Sequence, residues 1–209
     1  MFQNISHAPL LASILCALAL TACSERQLLD APLGSEVPSL SESPWQRNIA
    51  VRMPIQHEQW NLIPVAEYAL TGRVLGVEKY YRDALAELVP VDLALAWGPA
   101  AHDEVQSKLK VWQSGRWFFW QTTGSEPPLP KTALVKNMAN VHIVVLDDRV
   151  RDFLSSIEPD QVVSLKGQLV NIEGPDKASS RITSLSRQDT GGGSCEIFLV
   201  QAGFIHPDT

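Results

Sequence analysis

Short apolar segments that end at glycine or proline constrain the fold of this chain more than any other feature of its sequence. They are rich in β-branched and aromatic residues, which is typical of β-strands, and they cover 67–80, 92–97, 116–122, 141–146, 161–173, 181–186 and 196–202. Parallel neighbours need a connection of about ten residues or more, and such crossovers are mostly missing, so the pattern favours antiparallel pairing. Gly167 lies in the middle of the 161–173 segment, where a strand of a small barrel would bend.

Two segments have a helical period instead. In the first, 103–115, the apolar residues recur at intervals of four and three: Val105, Leu109 and Trp112. The second, 147–158, begins with an aspartate suited to cap a helix, either Asp147 or Asp148. Because strands and helices do not alternate along the chain, we predict an α+β fold with a mainly antiparallel sheet and two short helices, and a barrel-like curl is one form of such a sheet.

The amino-terminal segment is typical of an exported protein. Residues 9–20 form an uncharged apolar run, which is too short to span a membrane as a helix but has the length of a secretory core. The run leads into Leu20-Thr21-Ala22-Cys23, and this tetrapeptide resembles the lipobox of bacterial lipoproteins. The resemblance implies a signal peptide cleaved before Cys23 and acylation of Cys23, with palmitate among the attached chains. Ser24 in the next position implies an outer-membrane lipoprotein that faces the periplasm.

The predicted organisation has three parts. Residues 1–22 are the lipoprotein signal peptide, 23–63 are a lipidated tether and irregular arm rich in proline and serine, and 64–209 are a single globular domain. Cleavage removes Cys16 and acylation uses Cys23, so Cys195 remains as the one thiol and no internal disulfide is possible.

Charge and histidine spacing exclude several classes of partner. The 209 residues carry 23 acidic and 17 basic side chains, a formal charge of −6, which argues against a nucleic-acid binder. The histidines of the mature chain do not recur at the short intervals of metal ligands: His57, His102, His142 and His206. We therefore expect neither a metal nor a cofactor.

The stretch 184–196 contains three consecutive glycines beside Arg187. Glycines permit positive φ angles, so successive amides there could bind an anion next to Arg187, whereas the alternative is a flexible hairpin connection. Asp189-Thr190-Gly191 also matches the tripeptide of aspartic proteases, although such enzymes need two copies and this chain has one.

Cys195 and His142 are the candidates for nucleophilic catalysis. A thiol nucleophile needs a base within hydrogen-bonding distance and a third group that orients the base, a role open to Asp189 or Glu196. The alternative is a buried structural cysteine, because Cys195 stands at the start of an apolar strand.

Aromatic residues crowd the segment 116–122. Strand alternation places Phe118 and Trp120 on one face and Trp117 and Phe119 on the other. We expect one face to join the core and the other to be covered by a helix or by the amino-terminal arm. If it is open, Trp117 and Phe119, together with Arg187 nearby, are candidates for binding a sugar or a protein partner.

Three stretches, 90–99, 137–142 and 187–196, look like a bacterial family to which we attach no activity. Taken together, the sequence predicts a membrane-anchored envelope lipoprotein that serves as a non-catalytic binding or accessory module for a protein or glycan partner. The alternative is a small envelope hydrolase with a site around Cys195, His142, Arg187 and Asp189.

Overall fold

The computed structural model describes residues 28–29, 33–177, 179–189, 191 and 193–207. The predicted signal peptide, Cys23 and Thr190 lie outside these residues. The strands are β1 (Leu28–Leu29), β2 (Trp45–Asn48), β3 (Ile55–His57), β4 (Trp60–Lys79), β5 (Val91–Ala96), β6 (Leu109–Ser114), β7 (Trp117–Thr122), β8 (Met138–Val144), β9 (Val162–Glu173) and β10 (Glu196–Ile205). The helices are α1 (Asp103–Gln106), α2 (Lys131–Lys136) and α3 (Asp148–Ser155), with a 3-10 helix at Gly98–Ala101.

Five of the strands pair in a closed ring. In order around the ring, β4 pairs with β5, β5 with β8, β8 with β10, β10 with β9, and β9 with β4 again. Every pair in the ring is antiparallel except β8 with β10, which is parallel. The prediction of an α+β fold with a mainly antiparallel sheet is therefore confirmed.

Strand β4 closes the ring because it is long enough to pair on both sides. Its residues 61–73 pair with β9, and its residues 73–79 pair with β5. Its register shifts between Pro64 and Ala66 and again between Val74 and Gly76, and irregularities of this kind bend a strand. A single 20-residue strand thus takes part in both halves of the ring.

Gly167 allows the close approach of two strands within this ring. It pairs with Tyr68 on β4 and with Val200 on β10. A Cβ atom at this position would collide with the carbonyl oxygen of Leu199, so the backbones require a residue without a side chain.

The core fills the ring and extends beneath α3. All six residues of β5 are buried, which fits a strand with neighbours on both edges and apolar contacts on its faces. Helix α3 contributes Val150, Phe153 and Leu154 to the same cluster. The helix begins as predicted, because the Asp147 side chain accepts a hydrogen bond from the Val150 amide at 3.0 Å.

The helix predicted over 103–115 is wrong in most of its length. Helix α1 ends at Gln106, and Leu109–Ser114 is strand β6, which pairs with β7 through the two-residue turn of Gly115 and Arg116. The residues of β6 alternate between inward and exposed positions, which is the two-residue period of a strand. The same apolar residues also satisfy a helical spacing, so the sequence pattern is compatible with either structure. The hydrogen-bonded pairing with β7 makes this segment a strand.

Other segments also differ from the predictions. The predicted strand 181–186 makes only an isolated bridge, from Arg181 to Ile172. The segment expected to be an irregular arm contributes strands β2 and β3, both paired with β4. Helix α2, which follows the proline-rich loop, is a third helix that the sequence pattern did not predict.

Candidate active site

Three chemically active side chains meet on neighbouring strands. Asp92 on β5 stands directly opposite His142 on β8 in the antiparallel register. Cys195 is the last residue before β10, and Ile197 of that strand is the parallel partner of His142. The ring therefore brings together residues that are far apart in the chain.

His142 lies between an acid and a thiol. Its Nδ1 is 2.8 Å from Oδ1 of Asp92, which is fully buried. Burial alone would lower the pKa of His142, but hydrogen bonds to Asp92 and Cys195, together with their charges, raise it to about 9. With Nδ1 engaged by Asp92, Nε2 is the ring nitrogen available to the sulfur. This is the order of groups that a nucleophile, its base and an orienting acid require.

The buried carboxylate of Asp92 has partners on both oxygens. Its Oδ2 accepts hydrogen bonds from the Tyr80 hydroxyl and from the Asn140 side-chain amide, each at 3.1 Å. The guanidinium of Arg116 lies 3.5 Å from Oδ1, the oxygen that also faces His142. A buried carboxylate with this many partners is held in one position.

Arg116 reaches Asp92 from the turn between β6 and β7. Both turn residues have positive φ angles, 59° at Gly115 and 67° at Arg116, as a two-residue hairpin turn of this type demands. The guanidinium forms two hydrogen bonds to Asp83, at 3.1 and 2.8 Å, and its carbon lies 4.0 Å from the centre of the Tyr80 ring. The hairpin thereby places a cation next to the buried acid.

Cys195 borders two cavities. The first, called the aromatic cavity here, has a volume of about 200 Å³, and its lining includes Trp97, Trp117, Trp120, Arg187, Asp189 and Glu196. The second, called the apolar cavity, has a volume of about 250 Å³, and its lining includes Leu85, Val89, His142, Ile172, Ile182 and Ile197. Trp117 and Gly191 line both cavities, so the two adjoin at Cys195.

A second buried carboxylate, Glu196, follows Cys195 directly. One of its oxygens, Oε1, forms an ion pair with Arg187, whose guanidinium also lies 5.0 Å from the centre of the Tyr68 ring. Burial raises the pKa of Tyr68 to about 12, with the charge of Arg187 opposing that shift. The other oxygen, Oε2, is buried and has no hydrogen-bond partner among the described residues.

The structure changes one role assigned from the sequence. It places Cys195 beside His142, but Asp92, and neither Asp189 nor Glu196, is the acid that contacts the imidazole. Glu196 is paired with Arg187 instead, and Asp189 accepts a hydrogen bond from the Ser184 hydroxyl at 2.6 Å.

The sequence contained a signal for Asp92 that the predictions missed. Asp92 is the one charged residue in the strand Val-Asp-Leu-Ala-Leu-Ala, and a lone acid in a fully apolar strand is rare unless it has a partner. No comparable signal existed for Tyr80, Asn140 and Arg116, because only the pairing of β5, β8 and the hairpin brings them to Asp92.

The hairpin formed by β6 and β7 exposes aromatic side chains on one face. Phe118 and Trp120 turn inward and pack against a buried cluster, so theirs is the face that joins the core. Trp117 and Phe119 are 46% and 39% exposed, and Phe119 stacks on Trp112 with the ring centres 5.4 Å apart. The expectation that a helix or the arm covers this face is therefore wrong for the part of the chain that the structure describes.

Within the described ranges, no three or more His, Cys, Asp or Glu side chains are placed to hold a metal ion. No helix in the described part of the chain has the length and hydropathy to cross a membrane. No family model, curated protein sequence or solved structure matches the chain.

Proposed function

We propose that this protein is a cysteine-dependent hydrolase of acyl bonds, with Cys195 as nucleophile, His142 as base and Asp92 as the residue that orients His142. The observation that carries the proposal is the 2.8 Å contact of His142 Nδ1 with the fully buried Asp92, at a ring that lines the same cavity as Cys195. A cysteine with a purely structural role needs no such arrangement.

The chemistry follows from the order of these groups. Cys195 Sγ attacks the carbonyl carbon of an ester, thioester or amide, and the thiol proton resides on His142. The carbon–sulfur bond forms as the bond to the leaving group breaks, and His142 gives its proton to that group. Water then attacks the thioester, His142 accepts the proton of the water, and the acid and free thiol are released. Asp92 stabilises the imidazolium in both halves of the reaction.

The surroundings of Cys195 support a substrate that lies across the sulfur. Gly191 and Gly193 line the apolar cavity beside Cys195, and their lack of side chains leaves room for a carbonyl group there. The site also lies where β5 and β8 adjoin, the second and third strands of the ring.

Hydrolysis of p-nitrophenyl acetate by the full chain tests the proposal. We expect Cys195→Ser to abolish turnover and Asp92→Asn to lower kcat by tenfold or more, since the general base would lose its orientation. His102→Gln is the matched control, because His102 is exposed and lies outside the cluster, and it should leave the rate unchanged. Equal rates for the parent and Cys195→Ser would overturn the proposal.

We also propose that the protein is anchored in the bacterial envelope through acylated Cys23. The lipobox-like tetrapeptide Leu20-Thr21-Ala22-Cys23 supports this placement. Mass spectrometry of the amino-terminal peptide tests it: a diacylglycerol and a fatty acyl group on Cys23 are expected, and an unmodified, uncleaved peptide contradicts it. Cys23→Ala should move the protein from the membrane fraction to the soluble fraction.

A non-catalytic binding module is the second candidate function, and one observation favours it. The stacked pair Trp112 and Phe119, with Trp117 beside them, forms an exposed aromatic face suited to a glycan or a protein partner. Titration with an oligomer of N-acetylglucosamine, followed by tryptophan fluorescence, tests the glycan form. Binding that is lost in Trp117→Ala, with Cys195→Ser unaffected, would favour this function; no response would remove it.

A further inference from the structure

We infer that the aromatic cavity is a subsite for a cationic amine, so that the substrates are acyl compounds with an ammonium group near the bond that is cleaved. This inference rests on the proposed hydrolase function and adds its substrate class. It draws on the carboxylate of Glu196, the aromatic walls of the cavity and the position of both beside Cys195.

Glu196 has a buried acceptor oxygen to which no described residue donates. Its side chain is only 2% exposed, its Oε1 is paired with Arg187, and its Oε2 has no partner among the described residues. A buried polar atom without a partner costs about 1–3 kcal/mol, so a position of this kind is unusual unless a ligand completes it. An ammonium group is the strongest donor that Oε2 could receive, because both partners are then charged.

The walls of the cavity also suit a cation. Trp117 and Trp120 line it, and the faces of indole rings attract ammonium groups. The charged lining residues are Arg187, Asp189 and Glu196, which sum to a net charge of −1. The positive charge of Arg187 is already directed to Glu196 Oε1, to the Gln46 side chain at 3.3 Å and to the Tyr68 ring. The cavity therefore has one negative charge that no cation of its own lining balances.

The position of the cavity links it to the reaction. Glu196 is the residue after Cys195, and Cys195 lines the same cavity. A substrate whose carbonyl carbon meets the sulfur can therefore place an ammonium group in the aromatic cavity while its remaining apolar part enters the apolar cavity. Aminoacyl esters and amides have this arrangement of groups.

Tryptophan fluorescence of the full chain, titrated with n-butylammonium, n-butanol and butyrate, tests the subsite without any need for turnover. We expect saturable quenching or enhancement by n-butylammonium alone. In Glu196→Gln the half-saturating concentration should rise at least tenfold, whereas Glu126→Gln, a change at an exposed glutamate, should leave it unchanged.

The titrations distinguish a subsite for a cationic amine from nonspecific binding. Equal responses to n-butanol and n-butylammonium, or a response to butyrate, would overturn it, and this comparison needs only the parent protein if Glu196→Gln fails to fold. An unchanged half-saturating concentration in a folded Glu196→Gln would overturn it as well. Since the titration does not involve the thiol, loss of ester hydrolysis with retained ammonium binding would reject the hydrolase alone.

Discussion

Two buried carboxylates lie near Cys195, and they differ in how many hydrogen-bond partners the described residues give them. Asp92 has His142 and Arg116 at one oxygen and Tyr80 and Asn140 at the other. Glu196 has Arg187 at one oxygen and no described partner at the other.

The difference separates two roles for a buried acid. A carboxylate with partners on both oxygens cannot rotate, so Asp92 can hold the His142 ring in a fixed orientation. A carboxylate with one open oxygen retains capacity to bind, so Glu196 can receive a group from outside. The comparison predicts that the two acids respond differently to removal.

The largest expected effect is that of Asp92→Ala. Removing one member of a buried charge cluster leaves His142 and Arg116 without their shared counter-charge, so we expect the free energy of unfolding to fall by about 3–5 kcal/mol. Urea denaturation measures this. Asp152→Ala, at an exposed position on α3, should change stability by less than about 0.5 kcal/mol. A loss below 1 kcal/mol for Asp92→Ala would show that the cluster does not depend on its acid.

The next effect is a pH dependence of stability that originates at His142. Burial is the largest single influence and lowers the pKa of His142, but the hydrogen bonds and charges of Asp92 and Cys195 together outweigh it and raise this pKa from 6.5 to about 9 in the folded protein. The protonated ring therefore contributes stability that is fully present below pH 6.5 and is lost as the pH rises through 9, about 3 kcal/mol in all.

Urea denaturation at intervals between pH 6 and pH 10 measures this pH dependence. His142→Gln should remove the decrease over this window, whereas His102→Gln should keep it. A parent protein whose stability stays level from pH 6.5 to 9 would contradict the raised pKa.

A smaller effect is expected for Glu196→Ala. Arg187 loses its counter-charge, but its side chain is 22% exposed and can reach water, and Oε2 forms no hydrogen bond with a described residue that the substitution would remove. We expect a decrease of about 2 kcal/mol in the free energy of unfolding, clearly less than for Asp92→Ala. Urea denaturation of both variants under one set of conditions makes the comparison, and a loss for Glu196→Ala equal to or above that for Asp92→Ala would remove the distinction between the two acids.

The smallest effect concerns the turn that delivers Arg116 to Asp92. Gly115 has a φ of 59°, and no atom lies within 4 Å of an added Cβ, so Gly115→Ala costs backbone strain alone, about 1 kcal/mol. Gly124→Ala is the matched control, since Gly124 has equal space and no positive φ, and it should be neutral or slightly stabilising. Thermal denaturation of the two variants tests this difference, and identical midpoints would argue against strain at the turn.

The sequence correctly predicted those strands and helices whose local residue pattern agrees with their packing in the fold. Strand β8, strand β9 and helix α3, with its Asp147 cap, follow directly from composition and spacing. Strand β6 was misread as helix because Val105, Leu109 and Trp112 satisfy a helical spacing, and only the pairing with β7 gives the segment an extended form. Local pattern fails where tertiary pairing outweighs it.

The candidate site was predictable in part for a similar reason. Cys195 and His142 could be selected from the sequence because cysteine and histidine are rare residue types with nucleophilic and acid–base chemistry. The acid that orients His142 could not be selected in this way. Asp189 and Glu196 are near Cys195 in the chain, whereas Asp92 is near it only through the order β5, β8, β10 in the sheet. Local periodicity does not determine the order of strands in a sheet, so Asp92 could be identified as the orienting residue only from the structure.

The central claim is that Cys195 is a nucleophile activated by His142 and Asp92, and the rate of its alkylation by iodoacetamide tests this most directly. The folded chain is treated at pH 7, and peptide mapping separates Cys195 from Cys16 and Cys23. The account predicts that Cys195 reacts at least tenfold faster in the folded protein than in urea, and that His142→Gln and Asp92→Asn each remove most of that advantage. A Cys195 that stays unmodified until the protein unfolds, or that reacts at the same rate in both variants, would contradict it.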